Sequence, residues 1–428
     1  MTTPTLPAQR GMPARRVIIA GLVGNVLEWY DFGLYGLLAP VLATHFFPSG
    51  DRIAALLSVY GGFAVGFAMR PIGAAVLGHW GDRLGRRFLL GLSIALMGLA
   101  TAAVGVLPTY AALGVWAPVL LVLTRLFQGF SVGGEFVGSV TYLVEIAPPG
   151  GRGLAGSVAN VGATIGLLLA AAAAAYAIGG GDGAWRIPFL LGGLFALVGY
   201  LLRRHLPETL PQLQQPAMPR RASAPLRQAW REARRPLLIT IVFTSGYGIV
   251  NYISMVFLPT FAHEFGHVAE AAALRVNTFG QGLALLVVPL AGWVSDRFFR
   301  RRTLLVAAFL SEAIVAGFAF HWTLTGGLAG LWPAQTLLAG LLAVVMGTAP
   351  AFLSEQFDPV YRVSAHAVAF NIGIGIAGGT APLLALALIG WTGHPVAAAG
   401  YMSVAAALAA VSALALPNRG QVSSSQSQ

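Results

Sequence analysis

Arg70-Pro71-Ile72-Gly73, a short apolar stretch, then Gly78-His79-Trp80-Gly81-Asp82-Arg83-Leu84-Gly85-Arg86-Arg87: this segment decides the fold, because the chain carries its charged part twice. The second copy lies 214 positions later and reads Gly292-Trp293-Val294-Ser295-Asp296-Arg297-Phe298-Phe299-Arg300-Arg301, with a glycine, an aspartate and three arginines at the same spacings. Each copy follows one long apolar run and precedes another, as a tight charged turn between two hydrophobic helices would. A second pair of landmarks agrees. Glu145 and Arg152 bracket one turn, Glu355 and Arg362 another, with equal separation and a shift of 210. Two halves so related describe a repeat protein built for lipid.

Composition points the same way. Of 428 residues 57% are apolar and 10% charged, where a soluble chain carries about a quarter charged residues. The net charge of +11 comes from 26 arginines and no lysine; in a soluble protein it would suggest nucleic acid, but in a membrane protein such charge sorts by side. The absence of cysteine excludes a disulfide framework and a thiolate metal site. The first apolar run is too long for a signal peptide and has acids at its middle, so it is expected to remain as a span.

A span needs about 20 mostly apolar residues, and twelve runs qualify: 17–42, 54–79, 88–107, 116–146, 153–178, 185–203, 236–261, 271–291, 303–321, 332–354, 363–390 and 396–416. The expected architecture is an all-α integral membrane protein of twelve transmembrane helices in two six-helix bundles. Residues 1–202 form the first bundle, 203–235 a Pro- and Arg-rich cytoplasmic linker, 236–417 the second bundle and 418–428 a short disordered tail. With both termini inside, the inner loops hold twenty-one arginines and the outer loops three, which fixes the orientation. The expected setting is a cell inner membrane, with no nucleic-acid partner and a monomeric chain.

Ionisable side chains within spans cost a few kcal/mol or more each and normally face a partner or a watery cavity. Glu28 and Asp31 on span one, Arg70 on span two and Arg125 on span four are expected to meet near the midplane, with Glu135 deeper toward the inside. Glu28 and Asp31 share a helix face. Two carboxylates in one partly dry site cannot both ionise cheaply, so they and Glu135 are candidates for proton coupling. Arg70 and Arg125 are planar forks suited to a carboxylate, and Gln128 shares the face of Arg125. Aromatic residues Trp29, Tyr30, Phe32 and Tyr35 surround the same place. Tyr247 and Asn251 supply the opposite wall, and Asn371 adds a polar group. The competing reading has these charges pairing only with one another and the aromatics packing as core. Glu312 shows no obvious partner, and His366 is more often a packed histidine than a relay.

The two turns are expected to act as an inner gate. Asp82, Arg83 and Arg86 in one, and Asp296, Arg297 and Arg300 in the other, would pair beside Glu145, Arg152, Glu355 and Arg362 when the gate is shut.

The duplicated turn, Arg125-Leu126-Phe127-Gln128-Gly129 and the two six-span halves resemble the major facilitator superfamily. Gly24-Asn25-Val26-Leu27-Glu28-Trp29-Tyr30-Asp31-Phe32, Arg70-Pro71-Ile72-Gly73, Gly129-Phe130-Ser131-Val132-Gly133-Gly134-Glu135 and Ala369-Phe370-Asn371-Ile372 are similar to the metabolite:proton symporter family within it. The resemblance covers nearly the whole chain. It implies uptake of a small carboxylate or zwitterion with a proton by alternating access, the main expectation being an organic acid of the dicarboxylate or α-ketoglutarate class. The alternative is proline/betaine uptake, and weaker rivals are a proton-driven exporter and a non-transporting sensor. Span five lacks the glycine-proline pattern of drug/proton antiporters, and the tail lacks the coiled coil of osmosensing members. No nucleophile–base pair, metal cluster or nucleotide loop is visible, so neither an enzyme nor a cofactor is expected.

Overall fold

The computed structural model describes residues 14–417 apart from 49, 74–75, 77–85, 133–134, 149, 182 and 205–224. The described residues contain no strand. The first span is Ala14–Leu37 continued by Ala39–Phe46, the second Arg52–Gly73 and the third Arg86–Val106. The fourth pairs Trp116–Ser131 with Glu135–Ile146, and Arg152–Gly179 and Arg186–Arg204 are the fifth and sixth. The seventh is Arg234–Glu264 and the eighth Glu270–Arg297; Arg301–Ser354 supplies the ninth and tenth, Arg362–Thr392 the eleventh and Ala397–Ala415 the twelfth. Within the linker region Pro225–Glu232 is helical, and its Ala229 packs with Phe357, Tyr361 and Ala365.

The exterior is the reverse of a soluble protein's. Leu99, Leu286, Trp391 and Val404 lie exposed on the helix flanks, while Glu28, Asp31, Arg70 and Arg125 are buried. Lipid is the solvent that fits such a surface. Seven helical runs among the described residues are long and apolar enough to cross a membrane, and one of them, Arg301–Ser354, holds two spans.

Three features differ from simple rods. The fourth span, expected as one helix over 116–146, has a helix that stops at Ser131, with Val132 outside it, and a second helix, Glu135–Ile146. Spans nine and ten, expected to be separated by a loop, run as one helical stretch that turns at Gly327, where φ is 53°. That left-handed conformation suits a residue without Cβ. The seventh and eleventh spans contain π-helical segments, Ile253–Phe257 and Asn371–Gly378. Such wide turns free backbone carbonyls, and side chains satisfy them: Gln335 Nε2 donates to the Ser254 carbonyl (3.2 Å) and Asn277 Nδ2 to that of Met255 (3.0 Å).

Glycines set how closely the charge-bearing helices approach. A Cβ on Gly129 would lie 1.7 Å from the Gly66 carbonyl oxygen, and one on Gly73 would lie 1.8 Å from that of Phe130. The second and fourth spans therefore touch backbone to backbone, which carries Arg70 and Arg125 toward the first span. Gly129→Ala is expected to push the two helices apart at a cost of about 1–3 kcal/mol or more. The check is a thermal unfolding midpoint in detergent several degrees below the parent's; an unchanged midpoint would refute the close-packing argument.

Candidate functional site

The break in the fourth span creates the first half of the site. The last turn before it leaves the Val132 carbonyl outside the helical ladder, and Arg70 Nε donates to it at 3.2 Å. The other end of the Arg70 fork, Nη2, donates to Glu28 Oε1 on the first span. The guanidinium lies between two rings, 5.3 Å from the centroids of both Phe32 and Phe67. Tyr252 on the seventh span meets Phe67 edge to face at 5.3 Å and stacks on Trp29 at 6.3 Å. A Cβ on Gly375 of the eleventh span would lie 4.0 Å from Arg70 Cδ. The Arg70–Glu28 pair thus stands where the halves meet, inside an aromatic box, with 3% and 4% exposure.

The second half of the site lies within one bundle. Asp31 accepts from Thr101 Oγ1 (2.6 Å), Gln128 Nε2 (2.5 Å) and Arg125 Nη2 (3.2 Å to Oδ2). Arg125 lies flat on Tyr35 at 4.2 Å and reaches the Phe32 ring at 5.9 Å. Its Nε and Nη1 have no hydrogen-bond partner among the described residues. Phe32 therefore adjoins both guanidinium groups. Instead of four charges meeting at one point, the structure has two ion pairs sharing one ring. Glu28 is paired with Arg70, and Asp31 with Arg125.

The other expected site residues are distributed differently. Tyr30 points away, donating to the Pro188 carbonyl (2.7 Å) and packing on Phe195 of the sixth span. Asn251 is buried, and Asn371 begins the second π segment, donating to the Ala367 carbonyl (3.0 Å). Tyr247 lines one small cavity with Asn160 of the fifth span, whose Nδ2 donates to the Met346 carbonyl at 2.5 Å. Glu135 opens the second helix of span four, and its side chain lies outside the described residues. Sequence reading passed over Thr101, whose only signal was a hydroxyl in an apolar run.

The halves are bridged at both ends. At the linker end, Asp296 accepts from the backbone N–H of Gly153 (2.8 Å) and Leu154 (2.9 Å), the first turn of the fifth span, where the helix dipole favours an anion. Glu145 pairs with Arg362 at 2.7 Å, and Glu355 pairs with Arg152 at 3.8 Å and Arg301 at 2.7 Å. Burial pushes the Glu355 carboxyl up against the pull of Arg301 and Arg152. Arg301 also holds Asp296 at 2.7 Å and so joins both carboxylates; the expected gate residues Arg297 and Arg300 are exposed, Arg297 over the Trp293 ring. Asp82 and Arg83 lie outside the described residues, and Arg86 opens the third span. At the opposite end Arg52 donates to Glu264 (2.8 Å) and Tyr60 to Thr260 (3.0 Å). Charged or polar bridges thus join the halves at both ends.

Comparison with known proteins adds the family. The Major Facilitator Superfamily model matches residues 21–369. The chain is 32% identical to the ectoine/proline transporter of Corynebacterium glutamicum, over 95% of this chain and 84% of that one. It is 30% identical to the proline/betaine transporter of Escherichia coli, over 94% and 83%. A D-xylose-proton symporter shares its fold with a TM-score of 0.74 at 21% identity, over 96% of this chain and 99% of that one, and a human organic anion transporter with 0.66 at 19%, over 94% and 99%. Two six-span bundles, charged turns repeated between them and these likenesses lead to one conclusion: the chain belongs to the major facilitator superfamily and is a multi-pass membrane transporter.

Proposed function

We propose that the protein takes up a small zwitterion of the proline or betaine type together with a proton, the linker end and both termini facing the cytoplasm of a bacterial cell. The observation that carries this reading is the Arg70–Glu28 pair inside the aromatic box of Trp29, Phe32, Phe67 and Tyr252. A zwitterion presents one carboxylate and one cation. Its carboxylate replaces Glu28 on Arg70, and its ammonium takes up Glu28 and the ring faces, so both buried charges stay balanced. The names of the relatives favour the zwitterion as well, and the arginine asymmetry supports the orientation.

The proton belongs to Asp31 in this scheme. Neutralising Asp31 frees Arg125 as a second cation beside Phe32, and the gate pairs around Asp296 and Glu355 open in turn. Proteoliposomes supply the test: labelled proline or glycine betaine is expected to accumulate when the outside is acidified and to leak back on addition of a protonophore. Accumulation of succinate without either zwitterion would overturn the substrate assignment.

A further inference from the structure

A small cavity lies between the halves on the linker side of the ion pairs, with about 10 Å³ of room for a water centre, enough for roughly one molecule. Phe136 and Asn160 line it from the first bundle, and Tyr247, Pro350, His366 and Phe370 from the second. His366 is 2% exposed, and its Nδ1 has no hydrogen-bond partner among the described residues. A buried imidazole with one unpartnered nitrogen, lining a water-sized space at an interface that must part during transport, is placed for proton traffic rather than for packing.

Resting on the proton-coupled reading above, we infer that His366 is the last internal base on the proton's way from the midplane carboxylates to the linker end. The seventh span marks the route. Tyr252 stands beside both Glu28 and Arg70, with a hydroxyl unpartnered among the described residues. Tyr247 follows five residues, or about 7.5 Å, nearer the linker end, and faces the cavity shared with His366. When the linker-end bridges part and water enters, the Asp31 carboxyl O–H bond breaks and the carboxylate pairs again with Arg125. Water carries the proton to the cavity, an Nδ1–H bond forms on His366, and the ring returns an Nε2 proton to water on the linker side.

The charged surroundings oppose a standing imidazolium, since Arg362 lies one turn before His366 on the same helix. From the fourth span comes Glu145, already paired with Arg362, and beyond the tenth span lies Glu355, paired with Arg301 and Arg152. The seventh span offers Tyr247. The helix at 225–232 turns Ala229 inward and leaves Arg227 and Arg231 exposed. No carboxylate lines the cavity itself, so the proton is passed on rather than stored.

The test compares His366→Gln and His366→Asn with the parent in proteoliposomes, using labelled proline as the probe. Acid-driven accumulation is expected to fall on the order of tenfold, while counterflow, which needs no net proton movement, stays within about twofold by the same reasoning. Accumulation equal to the parent's in either variant overturns the relay. Equal loss of accumulation and counterflow in both variants also overturns it, because packing alone would then explain the residue. If the parent itself shows no acid-driven accumulation, the proton-coupled reading falls first and the relay with it.

Discussion

Arg70→Ala is expected to lower proline uptake in proteoliposomes at least about a hundredfold, the equivalent of about 3 kcal/mol or more. Two losses combine. The substrate's carboxylate loses the fork that receives it, and Glu28, 4% exposed, loses the guanidinium that balances it within the aromatic box. Breaking one side of a buried pair costs about 3–5 kcal/mol, a cost Glu28 can lessen only by taking a proton. Arg70→Lys separates the two causes. A lysine keeps the charge but has no second arm to hold both the Val132 carbonyl and Glu28, so an intermediate loss of about tenfold is expected. Arg70→Ala/Glu28→Gln, with no charge left to balance, should recover the thermal midpoint without recovering uptake. Uptake by Arg70→Ala equal to the parent's would take Arg70 out of the substrate site.

The twelve spans were legible because lipid demands long apolar runs, and the duplicated turn was legible because its glycine, aspartate and arginines must recur where the two halves bend alike. Pairing was not. Glu28 and Asp31 sit three residues apart on one face, yet Phe32 and the rotation of neighbouring helices give them different arginines. Local backbone also decides between adjacent arginines: Arg300 and Arg301 read alike in sequence, but Arg300 is the exposed, extended residue before the helix, whereas Arg301 opens the helix and pairs with Asp296 and Glu355. The π segments left no trace in the hydropathy pattern, since one extra residue per turn shifts the register without altering composition. Glu312 was read as partnerless, and neither of its carboxyl oxygens has a hydrogen-bond partner among the described residues.

The closed state gives these pairings their role. Asp296 sits on the fifth span's first turn at one end and Arg52 on Glu264 at the other, and between them the midplane charges are paired with one another. Opening either end admits water and a solute able to exchange with them. In the proposed mechanism the ion pairs compete with the substrate for the same charges.

Asp31→Asn should separate substrate movement from proton movement. Asparagine is nearly isosteric and permanently neutral, so it imitates the protonated acid: Thr101 can still donate to its oxygen, and Thr101 also has the Met97 carbonyl at 2.8 Å as an alternative acceptor. Accumulation against a gradient is expected to vanish, because there is no proton to bind or release, while counterflow of proline persists. An opposing effect must be weighed. Arg125 is 0% exposed and would keep its charge without the carboxylate that balances it, a penalty of about 3–5 kcal/mol, part of it relieved if substrate carboxylate or water reaches the open Nε and Nη1. The amount of folded protein should therefore fall, and counterflow has to be counted per folded molecule. Asp31→Asn/Arg125→Gln restores neutrality and should recover the thermal midpoint without recovering accumulation, which distinguishes a lost proton site from a damaged bundle. An Asp31→Asn protein that still concentrates proline to the parental ratio would mean that the proton travels on another group, Glu28 being the one left at the meeting of the halves.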